Sequence, residues 1–201
     1  MGRHAHQQLF GGLLISRWCQ ARSAYNFAVN PGGSSTGSAI AVSINLCSFA
    51  LGTEIDGSVI KPAERNAIVG IKPTVGLTSR AGVIPESSHQ DTVGTCGRTV
   101  RDATYALDAI YGIDGRDKYP SGQRGKIPER GGYSAALANK CALKGAVVGR
   151  PWLSSWQLNE PAQNAQLVDL PELIKSAGAT IINSIELPSY LTTISQSGWN
   201  W

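Results

Sequence analysis

The sequence predicts an α/β protein, and three observations lead to that prediction. Its 201 residues are 42% hydrophobic, which is enough to bury a core. Short apolar runs of strand length alternate with stretches of helical periodicity. The 23 glycines and 10 prolines imply many turns between short elements. This composition excludes a coiled coil and a disordered chain.

The first half of the chain is predicted to hold two helices and two short strands. Residues 38–48 are small and apolar nearly all round, which favours a buried helix. Thr99 can cap a helix that runs to about Tyr111, and Gly112 would stop it. The strands are expected at 49–53 and 68–71, the first leading into a loop at 52–58 and the second ending before Pro73.

The second half continues the alternation after a connection without periodicity. Residues 113–133 are predicted to be a linker or a long surface loop, and residues 28–201 to form one partial domain around it. Strands are expected at 144–149 and 180–184, with a helical stretch at 160–177 between them. Pro171 should kink that stretch or begin a separate helix after Asp169.

Charge and hydropathy exclude two kinds of partner. The net charge is +4, but outside the acid-free N-terminus no basic stripe exists, so no nucleic-acid partner is expected. No apolar run approaches the roughly 18 residues of a membrane-spanning helix, so no membrane partner is expected. Residues 1–27, with Arg3, Arg17 and Arg22, are expected to be a leader of uncertain order. The chain is expected to be cytoplasmic, with a mitochondrial presequence as the alternative.

The cysteines and histidines do not form a recognisable site. Cys19, Cys47, Cys96 and Cys141 are far apart, without the spacing of a zinc site, and are expected to be reduced thiols. His89 is the one histidine outside the leader and lacks the context of a catalytic base. The sequence therefore predicts neither a metal site nor a histidine triad.

Two serine-glycine loops carry the candidate chemistry. Ser34 and Ser58 lie in these loops, 24 residues apart. A helix of about 11 residues and a strand of about 5 residues each cover roughly 16 Å, so both loops should return to the same end of the fold. Backbone amides beside a serine can hold an oxyanion while a hydroxyl attacks a carbonyl carbon. The first loop lacks the lysine of a phosphate-binding loop, so acyl transfer fits better.

The motifs around these loops resemble the signature region of the amidase signature enzymes. The resemblance is close over about residues 28–112, and the later part is similar to the continuation seen in fungal amidases. The segments that carry it are NPGGSSTGSA from Asn30, LGTEIDGS from Leu51, PA at Pro62, VGIKPTVG from Val69, SRAGVIP from Ser79, DT at Asp91 and RTV at Arg98.

This resemblance implies an α/β/α sandwich around a mixed sheet and a Ser-cisSer-Lys mechanism. Ser58 corresponds to the acylated nucleophile, and Ser34 to the serine, preceded by a cis peptide bond, that relays its proton. The implied substrate is a small-molecule amide, and no cofactor is required. The remaining implied site residues are the amides of Ile55, Asp56, Gly57 and Ser58 as the oxyanion hole, with Thr53, Lys61, Asp91 and Arg98 in support.

The sequence departs from the family pattern at the residue that acts as the catalytic base. The family's lysine precedes the relay serine by several dozen residues, whereas the first lysine here is Lys61. Lys61 stands where many members carry Arg and would need a different backbone course to reach Ser34 as the base, whereas Lys72 corresponds to a structural position of the family. Asp56 replaces a usual Gly and would oppose an oxyanion if it faced inward. The chain has less than half the length of a family member, so we expect it to be truncated.

Three functions remain open from the sequence. The first is an amidase that cleaves a carboxamide C–N bond through Ser58. The second is an inactive fragment or pseudoenzyme that acts as a binding module, which the missing lysine favours. The third is transamidation that resembles the reaction of a glutamyl-tRNA amidotransferase. The oligomeric state is left open.

Overall fold

The computed structural model describes residues 21–117, 128, 131–151, 161–186 and 188. The chain divides into two compact units, residues 1–137 and residues 138–201. Most of the predicted leader lies outside the described residues, as does part of the predicted linker.

The first unit is built on a three-stranded antiparallel sheet with three helices. The central strand of the sheet comes last in sequence, so the order is β1-β3-β2. Glu54 of β1 pairs with Thr92 of β3, and Phe49 with Gly97. The strands are β1 (Phe49–Glu54), β2 (Val69–Ile71) and β3 (Thr92–Gly97), and the helices are α1 (Thr36–Ser43), α2 (Ile60–Arg65) and α3 (Val100–Ile110).

A small core joins α1, the sheet and the segment that leads into α2. Val42, Val59 and Cys96 have no exposed surface and form its centre. Cys47, Ala50 and Ile68 are partly buried against them. Burial raises the pKa of the Cys96 thiol to about 11, with smaller contributions from Cys47 and Glu54. The Cys96 side chain is therefore a neutral, buried thiol at ordinary pH.

Helix α3 begins and ends where its sequence predicts. The Thr99 hydroxyl accepts a hydrogen bond from the Asp102 amide, and the Asp102 carboxylate accepts one from the Thr99 amide. This capping box satisfies two amides that an uncapped first turn leaves open. The helix ends at Ile110, and Gly112 follows with a positive φ of 145°.

The second unit pairs two parallel strands. Strand β4 (Val147–Pro151) pairs with β5 (Thr180–Ile185), from Val147 with Thr180 onward. Helices α4 (Pro161–Leu167) and α5 (Leu170–Ser176) lie between these strands in sequence. Pro171 sits in the first turn of α5, so the predicted helical stretch is two helices rather than one kinked helix.

The α/β class predicted from the sequence is confirmed, and each predicted helix and strand is present with bounds shifted by a few residues. The largest shift is in α1, which ends at Ser43, with Ile44 and Leu46 exposed rather than buried within the helix. The sequence did not predict β3. Threonine and glycine fill that strand, and its glycines serve close packing: a Cβ at Gly97 would collide with the backbone of Ala103.

Among the described residues, no helix has the length and apolar character needed to cross a membrane.

Candidate active site

The two serine-glycine loops meet at one pocket. Gly33 of the first loop and Ser58 of the second both line a pocket of about 350 Å³. The Ser35 amide donates a hydrogen bond of 2.9 Å to the Ser58 carbonyl oxygen, which joins the loops directly. The other residues of the pocket wall are Asn30, Gly32, Asp56, Gly57, Lys61 and Arg65.

The first loop is fixed to β1 through Ser35. The Ser35 hydroxyl accepts a hydrogen bond of 3.2 Å from the Thr53 amide and donates one of 3.3 Å to the Thr53 carbonyl oxygen. Gly52 makes this approach possible, because a Cβ there would overlap the Ser35 side chain. The peptide bond between Gly33 and Ser34 is cis, at the place where the resemblance puts one. Thr53 thus contacts the loop through its backbone.

Glu54 organises the second loop. Its side chain is only 4% exposed, and its two carboxylate oxygens accept three backbone hydrogen bonds. The donors are the amides of Gly57 at 2.7 Å, Val59 at 2.6 Å and Ile60 at 2.8 Å. A buried carboxylate needs such charge-assisted bonds, and the loop is wrapped around it as a result.

The Glu54 hydrogen bonds limit which amides can form the predicted oxyanion hole. Of the four predicted donors, the Gly57 amide is already bonded to Glu54. In the described part of the chain, the amides of Asp56 and Ser58 donate to no protein acceptor. Asp56 and Ser58 both line the pocket, so their amides are the candidates for binding a ligand oxygen. Glu54 was missed in the sequence, although an acidic residue directly after a strand and four residues before a serine was a visible signal.

Asn66 links the first loop to α2. Its side-chain nitrogen donates hydrogen bonds of 2.9 Å to the Pro31 carbonyl oxygen and 2.8 Å to the Pro62 carbonyl oxygen. The side chain is fully buried, so both bonds are shielded from water. Asn66 was also missed, because one polar residue near a helix end gives no distinctive pattern.

The charged residues of the pocket wall are Asp56, Lys61 and Arg65. Lys61 and Arg65 are four residues apart on α2, so both side chains project from one face of the helix. Of the described residues, neither cation has a carboxylate within ion-pair distance. The pocket beside Ser58 therefore carries two unpaired positive groups and one negative group.

The predicted supporting residues Asp91 and Arg98 do not line this pocket, and neither do Ser34, Thr53 and Ile55. The Asp91 carboxylate accepts hydrogen bonds of 3.0 Å from the amides of Glu86 and Ser87 and so holds the loop before β3. Arg98 follows the far end of β3 and donates to the Asn45 side chain. Either residue could therefore affect the pocket only indirectly, by holding the sheet or the loops in position.

A second pocket, of about 330 Å³, lies in the same unit. The Arg80 guanidinium makes two hydrogen bonds of 3.1 Å to the Asp117 carboxylate, and the Arg80 amide makes a third of 2.8 Å. Both side chains are nearly buried, at 10% and 7% exposure. Arg116, also in this wall, pairs with Asp114 at 2.8 Å, and hydrogen bonds from the Arg116 and Ser79 side chains hold the pKa of Asp114 well below its usual value.

No group of three or more histidine, cysteine, aspartate or glutamate side chains suited to a metal ion occurs within the described ranges. The arrangement at the first pocket offers hydroxyls, backbone amides and cations instead. These groups suit nucleophilic attack on a carbonyl and binding of an oxyanion.

Comparisons with known proteins agree with the motifs. The family model described as Amidase matches residues 14–199. A Schizosaccharomyces pombe protein named "putative amidase" is 47% identical over 99% of this chain and 37% of its own length. A glutamyl-tRNA(Gln) amidotransferase chain from Latilactobacillus sakei is 40% identical over 79% of this chain and 31% of its own length.

A solved amidase structure also resembles this chain. The native peptide amidase of Stenotrophomonas maltophilia superposes with a TM-score of 0.75 at 36% identity, covering 94% of this chain and 37% of that chain. The chain thus spans little more than a third of the length of these relatives.

Proposed function

The chain belongs to the amidase family, and on that premise we propose that its first pocket is an amidase-type site at which Ser58 attacks a carboxamide. The observation that carries the proposal is the meeting of the two serine loops: Gly33 and Ser58 line one pocket, and the Ser35 amide bonds the Ser58 carbonyl oxygen.

The proposed chemistry is acyl transfer. The Ser58 hydroxyl oxygen attacks the amide carbon, and its proton passes to Ser34. The carbonyl oxygen becomes an oxyanion, for which the amides of Asp56 and Ser58 are the candidate donors. Collapse of the intermediate breaks the C–N bond as the relayed proton is delivered to the leaving nitrogen, so that ammonia or an amine departs and an acyl group stays on Ser58. Water then attacks the ester and releases the acid.

The sequence does not contain the family's lysine, which acts as the base of the proton relay, at the expected position before Ser34. No lysine precedes Ser34 in the sequence. Lys61 lines the pocket, but it is an exposed side chain on the α2 side of Ser58. We therefore propose that the residues of this chain support acylation of Ser58 by an activated reagent, while hydrolysis of simple amides by this chain alone is slow or absent.

The test is labelling of the full chain with a serine-directed fluorophosphonate, followed by mass-spectrometric mapping. We expect one adduct on Ser58. Ser58→Ala should abolish the adduct, because it removes the attacking oxygen, and Ser34→Ala should slow its formation, because the proton path is cut. Ammonia release from simple amides, measured in parallel, separates acylation from turnover.

Ser48→Ala is the matched control, since Ser48 is an exposed serine next to the other end of β1. This variant should label like the unmodified chain. If the unmodified chain acquires no adduct on Ser58, the proposal fails and the binding-module alternative replaces it.

A further inference from the structure

The first pocket carries charge that the acyl-transfer chemistry does not use. Attack by Ser58 needs hydroxyls and backbone amides, whereas Lys61 and Arg65 add two cations to the same wall. Both cations lie where they can contact a part of the substrate that does not react.

The position of these cations is set by the fold. Lys61 and Arg65 occupy the first and last turns of α2 on one face, and the helix follows directly from the Ser58 loop. The Lys61 stem lies beside Gly57, because a Cβ at Gly57 would come within 3.8 Å of the Lys61 Cβ. Ser23 bonds the Arg65 carbonyl oxygen at 3.2 Å, which fixes the backbone that carries the second cation.

The two cations lack partners within the described part of the protein. Neither is in an ion pair with any described residue. Like charges four residues apart on a helix repel each other, and an anion between them removes that repulsion. By contrast, the arginines of the second pocket are both paired with aspartates.

We propose that Lys61 and Arg65 bind a carboxylate on the substrate, so that the site takes an amide which also carries an acid group. This inference rests on the proposed function for the position of the amide at Ser58. Asp56, the negative group in the same wall, is an exposed side chain on the Ser58 loop rather than on α2, so the α2 side of the pocket is positive.

The test compares three amides that share the same carbamoylethyl group. Succinamate ends in a carboxylate, succinamide in a neutral amide and β-alaninamide in an ammonium. Calorimetric titration of the full chain at low salt should show succinamate binding at least about fivefold more tightly than succinamide, the gain expected from two solvent-accessible ion pairs. β-Alaninamide should bind most weakly, and high salt should reduce the differences.

Variants identify the source of the preference. Lys61→Gln with Arg65→Gln should remove the preference for succinamate over succinamide, while Arg116→Gln, a matched change in the second pocket, should leave it intact. The inference is overturned if succinamide or β-alaninamide binds as tightly as succinamate, if none of the three binds, or if the double variant keeps the preference.

The outcome is separable from that of the proposed function. Ser58→Ala should keep the preference for succinamate, because the hydroxyl takes no part in binding the carboxylate. A chain without a fluorophosphonate adduct that still prefers succinamate would refute the acylation proposal alone. A chain that forms the adduct without preferring succinamate would refute the carboxylate proposal alone.

Discussion

The two pockets of the first unit are similar in size, about 350 and about 330 Å³, but they use their charged residues in opposite ways. At the first, a buried carboxylate bonds backbone amides, and two cations on α2 have no ion-pair partner among the described residues. At the second, Arg80 and Arg116 are each bonded to an aspartate of the segment after α3.

The comparison distinguishes charged side chains that hold a loop in place from charged side chains that are accessible to a ligand. The Arg80 guanidinium is nearly buried and already donates two hydrogen bonds to Asp117, so few of its N–H groups can bind a small molecule. Glu54 has the same structural task in the Ser58 loop, although it does not line the first pocket itself, whereas Lys61 and Arg65 do line it. We therefore expect substitutions at Glu54 and Arg80 to change stability, and substitutions at Lys61 and Arg65 to change binding.

The largest effect is expected from Glu54→Ala. It leaves three amides around the Ser58 loop without their acceptor, which should lower the free energy of unfolding by about 4 kcal/mol. Glu54→Gln keeps one oxygen as an acceptor, so about half that loss is expected. Urea denaturation measures both. Equal stability of Glu54→Ala and the unmodified chain would show that the loop does not depend on this carboxylate.

Arg80→Ala should rank second. It removes the Arg80 guanidinium from the nearly buried Asp117 carboxylate, at a cost of about 3 kcal/mol. A double-mutant cycle with Asp117→Asn isolates the pair by urea denaturation. A coupling free energy near zero would mean that the second pocket is not held together by this ion pair.

The pH dependence of stability tests the core beneath the first pocket. The folded pKa of Cys96 is about 11, above its ordinary value of 9.0, so the folded state favours the neutral thiol. This contribution to stability is fully present below about pH 9 and is lost as the pH rises to about 11, by about 3 kcal/mol in all. Cys96→Ala should show a correspondingly smaller loss over the same range. A pH profile identical to that of the unmodified chain would contradict the assignment.

The smallest effect is expected from Arg116→Ala. Its ion pair with Asp114 is solvent-exposed on the arginine side, at 82%, and solvent screening leaves such pairs with little effect on stability. A thermal melt should therefore barely move. A loss as large as that of Arg80→Ala would remove the distinction between the buried and exposed pairs of this pocket.

Local sequence patterns predicted the elements that depend on local chemistry. Thr99 and Asp102 form a capping box from residues three apart, and Pro171 marks the first turn of a helix. The meeting of the loops that carry Ser34 and Ser58 was predicted from a helix followed by a strand, although α1 has 8 residues rather than the expected number of about 11.

The parts that were missed depend on contacts distant in sequence. Strand β3 was not predicted because Gly94 and Gly97 interrupt its β-branched residues, and only the close approach of Ala103 explains Gly97. Asn66 joins its helix to Pro31, 35 residues away. Arg80 pairs with Asp117, 37 residues away. Asp117 lies in the segment 113–133, which the sequence predicted to be a linker or surface loop.

Mapping of a bound ligand tests the central contrast between the two pockets most directly. Backbone amide chemical shifts of the isotope-labelled chain would be followed by NMR during titration with succinamate. We predict shifts at Gly33, Gly57, Ser58 and Lys61, with the amides of Ala81 and Gly82 in the second pocket unmoved. Shifts centred on the second pocket, or none in either, would contradict the account.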